Sequence, residues 1–446
     1  DRGGFALTRS RIVFLVWVAI GLGAIGTGRE LLYNLWYLLT ALLIFSFAWA
    51  WTGVQWIDVE RHTRTSRSQV GRMAEERLVV RNKSILPKLW LEVRDSSTLP
   101  NHYVSRVISP LGGRKSYAWT LQTRCVQRGR FRLGPLTITS GDPFGLFQRT
   151  RSLEEPRTST IIVYPPTVDL VSFAPLIGML PGGDTMRRRT PYVTTNVSGV
   201  REYAPGDSFN RIHWPSSART GRLISKEFEL DPTADVWLFL DLERGAQAEL
   251  SWAGHPGLAQ SRLPWETGPD FLLPPSTTEY GIAIAASLTR HFVEQDRGVG
   301  FIAYSQQRQV LPADRGERQL AKILETLSVI QAEGRIPISE IVAAEGAHLS
   351  RNTTAVVITP TDQEYWISAA RDLSRRGINV VAVLLESHSF GHPRTNEDLV
   401  TELSVSGILT YLVREGDDLA MALASPFAHG LRVAPSTQPA PPHRAG

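Results

Sequence analysis

Two apolar runs without charges open the chain. Residues 12–28 and 31–54 are apolar all round, and as helices they would be about 25 and 35 Å long, which brackets the hydrocarbon core of a bilayer. The pattern predicts a transmembrane hairpin over residues 1–57. A cleaved signal sequence is less favoured because the second run follows too closely. A buried core hairpin is less favoured because neither run has a polar face.

The arginines around this hairpin are concentrated at its two outer ends. Those outside the hairpin are Arg2, Arg9, Arg11, Arg61, Arg64, Arg67 and Arg72. At the tip, Arg29 is balanced by Glu30. The positive-inside rule then predicts a two-pass protein of the inner (cytoplasmic) membrane, with its soluble body in the cytoplasm.

The period of the apolar positions changes to two over residues 58–167. Leu91 and Val93 alternate with Glu92 and Arg94, and several similar short runs are separated by turn residues such as those at 112–113 and 141–143. This pattern predicts an antiparallel β-sandwich.

Residues 234–433 show a third pattern, in which buried strands alternate with amphipathic helices. The predicted strands are residues 236–240, 299–304, 354–358 and 378–385, and the predicted helices cover 281–292, 320–327 and 366–373. Such alternation predicts a parallel, doubly wound α/β domain. Residues 168–233 read as a connector, and residues 434–446 as a disordered tail.

The connector contains the least ordinary stretch, residues 199–229. Its start is extended, Pro205, Gly206 and Asp207 predict a tight turn, and Ile212 and Trp214 then share one apolar face. Asp207 is within a loop's reach of several arginines, which makes a carboxylate–guanidinium clasp plausible. Two interpretations stay open: the clasp and Trp214 lock neighbouring domains together, or the arginines bind a phosphate or an acidic peptide.

Short motifs in and before this stretch resemble the family catalogued as domain of unknown function 58. They are Arg201-Glu202-Tyr203, Pro205-Gly206-Asp207, Ile212-His213-Trp214, Ser217-Ala218-Arg219, the upstream Arg128-Gly129, the run from Asp142 to Phe147, and Val163-Tyr164-Pro165. The resemblance implies signature residues with an interaction role. These are Arg201, Glu202, Tyr203, Gly206, Asp207, Trp214, Ser217 and Arg219. It also implies a von Willebrand factor A-like α/β domain and a MoxR-type AAA+ ATPase as partner.

Asp241 follows the first α/β strand, where von Willebrand factor A domains begin a D-x-S-x-S metal motif. Glu243 and Gly245 occupy the two serine positions, and Arg244 adds a positive charge. Thr359 and Asp362 read as remnants of the distal ligands. Because Mg²⁺ requires several hard oxygen ligands, we expect a degenerate site without a metal, and no cofactor.

Composition and motif searches give no sign of an enzyme or a nucleic-acid binder. The net charge is +5, without a basic run interleaved with aromatics. No P-loop, H-E-x-x-H, G-x-S-x-G or C-x-x-C is present. The sequence therefore predicts a non-enzymatic, membrane-anchored scaffold. The alternative is an enzyme acting on a phosphorylated or envelope-precursor substrate at Arg201, Asp207, His213 and Arg219, although His213 has no evident serine or cysteine to activate.

Overall fold

The computed structural model describes most of the chain outside the connector and the tail. The described residues are 2–153, 159–170, 173, 197–202, 212–228, 235–251, 271–351, 353–428 and 431–432, with the backbone alone for 2–9, 197–202, 226–228, 428 and 431–432. Contacts divide the chain into two compact units. The N-terminal unit comprises Asp1–Pro166, Ala253–Leu273 and Glu325–Val329, and the C-terminal unit comprises the remainder.

Two long helices begin the N-terminal unit, α1 (Arg2–Thr27) and α2 (Glu30–Gly53). Ser10–Thr27 and Glu30–Gly53 are both long and apolar enough to cross a membrane, each with a mean hydropathy of 1.8. Only 11% and 6% of these windows are buried, which is not the burial expected of a core hairpin. The second helix begins and ends one residue before its predicted bounds.

Close side-chain contacts hold the two helices together as a hairpin. The Trp17 indole Nε1 donates a hydrogen bond of 2.7 Å to Thr40 Oγ1, and the Trp17 and Trp36 rings stack at 5.7 Å. A Cβ at Gly21 would lie 2.8 Å from Trp36 Nε1. The small residue therefore lets the helices approach, as small residues do at membrane helix interfaces.

Ten strands follow in the described part of the N-terminal unit. They are β1 (Ile57–Thr63), β2 (Arg67–Gln69), β3 (Met73–Asn82), β4 (Leu91–Asp95), β5 (Arg106–Ile108), β6 (Ser116–Arg124), β7 (Gly129–Leu133), β8 (Leu136–Gly141), β9 (Gln148–Leu153) and β10 (Ser159–Tyr164). They form sheets of order β1-β3-β6, β5-β4-β8-β9 and β2-β10-β7.

One buried cluster joins the first two of these sheets. It includes Val59 and Leu78 from the first sheet and Leu91 and Ile138 from the second, all with no exposed surface. Alternate side chains along these strands point into this cluster, which is why the period of two is visible in the sequence. The two sheets therefore share one apolar core.

The prediction that this region is antiparallel throughout is wrong at one pair of strands. Strand β10 pairs with β2 in parallel, with Ile162 opposite Arg67. These strands lie far apart in the sequence, so the chain between them is long enough to bring the second strand back in the same direction.

The C-terminal unit contains the remaining elements that the structure describes. Its strands are β11 (Val197–Glu202), β12 (Ile224–Phe228), β13 (Val236–Leu240), β14 (Val299–Tyr304), β15 (Arg308–Asp314), β16 (Thr354–Thr359), β17 (Asn379–Leu385), β18 (Leu409–Val413), β19 (Phe427–Ala428) and β20 (Leu431–Arg432). Its helices are α3 (Trp214–Thr220), α4 (Thr277–Glu294), α5 (Glu317–Val329, whose last turn is grouped with the N-terminal unit), α6 (Ile338–Gly346), α7 (Tyr365–Arg375), α8 (Asp398–Val405) and α9 (Leu419–Ala424).

A six-stranded sheet of order β15-β14-β13-β16-β17-β18 organises this unit. All neighbouring pairs are parallel except β14 and β15. Phe239 and Val357 pack in a buried cluster with residues of α6, α7 and α8. On α4, a Cβ at Gly281 would meet the Leu240 and Ile358 side chains at 3.2 and 3.8 Å. Successive side chains of a strand point to opposite faces, so Leu240 and Ile358 lie on the face opposite Phe239 and Val357. The sheet is therefore covered by helices on both faces.

The four predicted strands of this sheet are all present, but two more were missed. Strand β15 is an antiparallel edge strand whose residues are half-buried or exposed, so it lacks the apolar run of a central strand. Strand β18 is buried but short, at five residues. Its apolar run is too brief to stand out from a helix segment.

Candidate functional site

The strand order of the six-stranded sheet reverses at β13. The chain passes from β13 to β14 on one side and later to β16 on the other, so β13 and β16 are neighbours whose connections leave in opposite directions. In open α/β sheets, ligands bind outside the carboxyl ends of the strands at this kind of position. Asp241 directly follows β13, and Thr359 ends β16.

The structure brings Asp241 and Thr359 together, as their places in the sequence predict. Thr359 Oγ1 donates a hydrogen bond of 2.6 Å to Asp241 Oδ2, and the Glu243 amide donates one of 3.0 Å to Asp241 Oδ1. The Thr361 amide in turn donates to Thr359 Oγ1 at 3.1 Å. Only 2% of Asp241 is exposed. Both carboxylate oxygens are thus satisfied by neighbouring residues.

Burial changes the acidity of this carboxyl group. Loss of hydration raises the pKa of Asp241 to about 6, although the hydrogen bonds from Thr359 and Glu243 favour the ionised form and lower it. The nearby Glu243 charge raises it further. The pKa of Glu243 is itself raised by burial and by Glu340. The site therefore holds two carboxyl groups that bind protons more readily than usual.

These donors do not fit a divalent cation. The Asp241 and Thr359 oxygens are occupied by their mutual hydrogen bond and by backbone amides. The third predicted remnant, Asp362, accepts a hydrogen bond of 3.4 Å from Arg394 Nη1. Mg²⁺ and Ca²⁺ need about six oxygen ligands. Within the part of the chain that the structure describes, no group of three or more His, Cys, Asp or Glu side chains could hold a metal.

Two further buried polar residues at this edge were missed from the sequence. Glu386 follows β17 and accepts hydrogen bonds from the His388 and Ser389 amides at 3.1 and 2.7 Å. Asn396 Nδ2 donates to the Leu385 and Pro360 carbonyls at 2.8 and 3.1 Å. The first polar residue after a buried parallel strand was the signal that could have identified Glu386. The hydrogen bonds of Glu386 and Asn396 together fix the loops at this edge of the sheet.

The signature stretch contributes a two-stranded antiparallel sheet to the described structure. Strands β11 and β12 pair antiparallel, with Arg201 opposite Ser225 and Glu202 opposite Ile224. The extended start that the sequence predicts is therefore confirmed. The Arg201 and Glu202 side chains, and all of Tyr203, Gly206 and Asp207, lie outside the described residues, as does the predicted clasp.

Helix α3 is fixed to strand β12 by hydrogen bonds around its N-terminus. The His213 amide donates to the Ile224 carbonyl at 2.8 Å. Ser217 Oγ donates to the His213 carbonyl at 3.1 Å and accepts from the Ile224 amide at 2.9 Å. Ser217 is buried, and Gly221 ends the helix with a left-handed φ of 68°. Within the signature, Ser217 therefore holds α3 against β12.

His213 acts as the N-cap of α3, and it does have a serine nearby. Its Nδ1 lies 2.6 Å from Ser216 Oγ and accepts the Ser216 amide at 3.3 Å. The expectation that His213 has no adjacent hydroxyl is therefore wrong, because the first turn of the helix returns residue 216 to the cap. The contact satisfies an otherwise free amide at the helix start.

Trp214 and Arg219 lie on the exposed surface of α3. Trp214 is 64% exposed, and Arg219 is also exposed. The predicted strand-like alternation ends at the buried Ile212, because Trp214 begins a helix instead. A tryptophan that locked two domains together would be buried. The described structure does not show that role for Trp214.

Two solved structures that resemble this chain do so remotely. The CARDB domain of a Pyrococcus furiosus protein in complex with di-metal ions is 21% identical over 24% of this chain and 91% of that one, with a TM-score of 0.18. A cycloisomaltooligosaccharide glucanotransferase of Paenibacillus sp. is 11% identical over 80% of this chain and 53% of that one, with a TM-score of 0.16. Likenesses this weak carry no argument about fold or function.

Sequence comparison gives a relative and a family. "Uncharacterized protein YeaD" of Bacillus subtilis (strain 168) is 22% identical over 250 residues, which is 55% of this chain. The chain spans about half the length of this relative, at 54%. Residues 199–248, which contain α3 and Asp241, match the family described as "Protein of unknown function DUF58". The family match thus covers residues 199–248, and the relative resembles about half of the chain.

Proposed function

We propose that this chain is a membrane-anchored interaction protein that binds another protein through its signature helix and has no catalytic activity of its own. The exposed Trp214 on α3 is the observation that carries this proposal. Tryptophan and arginine dominate the binding energy of protein interfaces, and both stand on this one short helix. The Ser217 hydrogen bonds hold the helix rigid, which lowers the entropic cost of binding.

The anchor is the α1–α2 hairpin, inserted in the inner (cytoplasmic) membrane from the cytoplasmic side. Its tip is a few residues long, and the arginines that flank its ends favour this orientation. One of them does not face the membrane surface, because the Arg61 side chain is only 2% exposed and pairs with Asp95. Arg64, by contrast, is exposed. The positive flank therefore depends on the remaining arginines.

The closed surroundings of Asp241 support a binding role over catalysis. The Asp241 carboxylate is only 2% exposed and each of its oxygens accepts a hydrogen bond from a neighbouring residue, which favours a structural role over contact with a substrate. The position of Asp241 after β13 also supports a von Willebrand factor A-like domain with a degenerate metal site. The family resemblance then suggests the partner, a MoxR-type AAA+ ATPase, and a role in the assembly or maturation of protein complexes.

Purification from native membranes tests the proposal. The full-length tagged chain, extracted in a mild detergent, is expected to enrich a MoxR-type AAA+ ATPase in quantitative mass spectrometry. Trp214→Ala should lose most of that enrichment without unfolding, because the side chain is exposed. Tyr365→Ala is the matched control, since Tyr365 is another exposed aromatic at the start of a helix. Absence of the ATPase, or equal enrichment by Trp214→Ala, would contradict the proposal.

The enzyme alternative keeps one observation in its favour, the short contact between His213 Nδ1 and Ser216 Oγ. Asparagine is among the best N-cap residues, so His213→Asn preserves the cap and removes the imidazole. If the histidine only caps α3, His213→Asn should enrich the ATPase as the wild type does. A turnover of phosphorylated or envelope-precursor substrates that is lost in His213→Asn would favour the enzyme instead.

A further inference from the structure

The end of α2 is packed against the turn between β8 and β9. The Phe47 and Phe147 rings meet edge to face at 5.8 Å, and the Arg149 guanidinium lies 5.5 Å from the centre of the Phe47 ring. A Cβ at Gly53 would lie 3.0 Å from Ser140 Oγ. The β8–β9 turn therefore runs beside the last turns of the helix and does not lie beyond its end.

The length of α2 sets the depth of that turn if the helix spans a bilayer. Twenty residues of helix cross a hydrocarbon core of about 30 Å, so a span that begins at Leu31 reaches the opposite boundary near Ala50. Phe47 would then lie roughly 4 Å inside the core. Phe147 contacts Phe47, so the β8–β9 turn would then lie at the boundary between the acyl chains and the lipid headgroups.

The tip of this turn carries an exposed aromatic side chain. Phe144 is 52% exposed. The Asp142 carboxylate accepts hydrogen bonds from the Phe144 and Phe147 amides, at 3.0 and 2.6 Å, and holds the turn in shape. A rigid turn at this depth would place the exposed Phe144 side chain at the boundary between acyl chains and water.

A second loop at the same end of the sheets exposes more apolar surface. The Lys83 amide donates to the Trp56 carbonyl at 2.8 Å, which ties the loop after β3 to the segment that leaves α2. In this loop Ile85 is 75% exposed and Leu86 is also exposed. Trp56, in the segment that leaves α2, is exposed as well. The buried Lys88 of the same loop donates from Nζ to the Thr52 carbonyl at 2.5 Å, at the end of α2.

We propose that Trp56, Ile85, Leu86 and Phe144 form a second membrane contact that inserts into the headgroup and acyl boundary of the bilayer. The exposed Arg149 is five residues from Phe144, and a long cationic side chain reaches lipid phosphates from such a position, whereas the Lys83 ammonium pairs with Asp58 at 2.9 Å. The lipid surface is the occupant because this face is continuous with the candidate membrane span α2. The inference rests on the proposed anchor, and it adds that the β-rich part is held against the bilayer.

Spin-label depth measurements on the full chain in phospholipid vesicles test this contact. Single cysteines replace Ile85, Phe144, Tyr103 and Leu38, each carrying a nitroxide. The native Cys125 is buried, and Cys125→Ala removes its background. Tyr103 is the control, because it is 84% exposed and lies after β4, at the end of that strand away from Lys88. Accessibility to oxygen, which concentrates in lipid, is compared with accessibility to a water-soluble nickel complex.

We expect the oxygen-to-nickel ratio at positions 85 and 144 to exceed that at 103 several-fold. The label at Leu38, on the exposed surface of α2, reports the anchor separately. A lipid-exposed label at 38 with water-exposed labels at 85 and 144 would overturn the second contact and leave the anchor intact. A water-exposed label at 38 would overturn both. Low accessibility of 85 and 144 to both reagents would indicate a protein partner on this face and would also overturn the inference.

Discussion

The two units bury carboxyl groups in different ways. Asp241 in the C-terminal unit is surrounded by neutral donors, the Thr359 hydroxyl and the Glu243 amide. In the N-terminal unit, Glu76 and Asp95 are buried with a cation, Arg61. One site satisfies its charge by hydrogen bonds alone, and the other by ion pairing.

The cluster of Arg61, Glu76 and Asp95 has more buried polar atoms without a hydrogen-bond partner than the Asp241 site. Arg61 Nη2 bonds Asp95 Oδ2, and His102 Nε2 lies 3.2 Å from the same oxygen. Among the described atoms, Arg61 Nε and Nη1, both Glu76 oxygens and Asp95 Oδ1 have no hydrogen-bond partner. Burial raises the pKa of Glu76, while Arg61 lowers it. The comparison teaches that the cluster depends on charge balance, whereas Asp241 depends on the geometry of its donors.

The largest effect is expected from removing the cation. Arg61→Ala leaves two carboxyl groups buried without their partner, so we expect the sheet β1-β3-β6 to lose about 3–5 kcal/mol of opening free energy. Hydrogen exchange of that sheet in the full chain measures the loss. Arg64→Ala is the matched control, since Arg64 pairs with Glu75 at the surface and should cost less than about 1 kcal/mol. Equal effects of the two substitutions would contradict the comparison.

The next effect concerns the pH dependence of the Asp241 site. The folded pKa of about 6 lies above the model-peptide value of 3.8, so the native state holds a proton that the unfolded chain has lost between these pH values. Stability that is present below about pH 4 is therefore lost as the pH rises through about 6, by roughly 3 kcal/mol. Asp241→Asn cannot ionise and should remove this slope.

Hydrogen exchange of β13 and β16 at several pH values checks this expectation. Relative to the wild type, Asp241→Asn should gain stability as the pH rises across the window. Asp372→Asn, an exposed residue of α7, serves as the control and should leave the slope unchanged. A wild-type profile that is flat between pH 4 and pH 7 would show that burial does not perturb Asp241.

The smallest of these effects isolates a single neutral donor. Thr359→Val removes the hydroxyl that donates to Asp241 and keeps the shape of the side chain. We expect a loss of about 1–3 kcal/mol at neutral pH, because the buried oxygen is left without its partner. Thr359→Ser keeps the hydroxyl and should retain most of the stability. A Val variant as stable as the Ser variant would show that the hydrogen bond does not hold the site.

Much of the fold could be predicted because its core patterns are regular. The parallel strands at 236–240 and 354–358 are continuous apolar runs, and the two N-terminal helices are apolar over whole membrane-spanning lengths. The half-exposed edge strand β15 and the short helices α6, α8 and α9 gave weaker patterns. Their positions depend on packing against the sheet more than on local preference.

The site residues were predictable only where their positions at the ends of strands determined them. Asp241 follows one buried strand and Thr359 ends another, so a parallel pairing of these strands brings them together. The cluster of Arg61, Glu76, Asp95 and His102 could not be predicted, because its members come from different strands and a loop whose register the sequence does not fix. Trp214 was misread because a seven-residue helix begins there, two residues after Ile212, and an alternating pattern over three residues cannot exclude that.

Membrane integration tests the central claim most directly. Native membranes containing the full-length chain are washed with alkaline carbonate, which releases peripheral proteins and retains proteins that cross the bilayer. The account predicts that the chain stays in the membrane pellet and that a variant lacking residues 1–53 moves to the supernatant. Full release of the intact chain by the wash would contradict the anchor, and with it the proposed function.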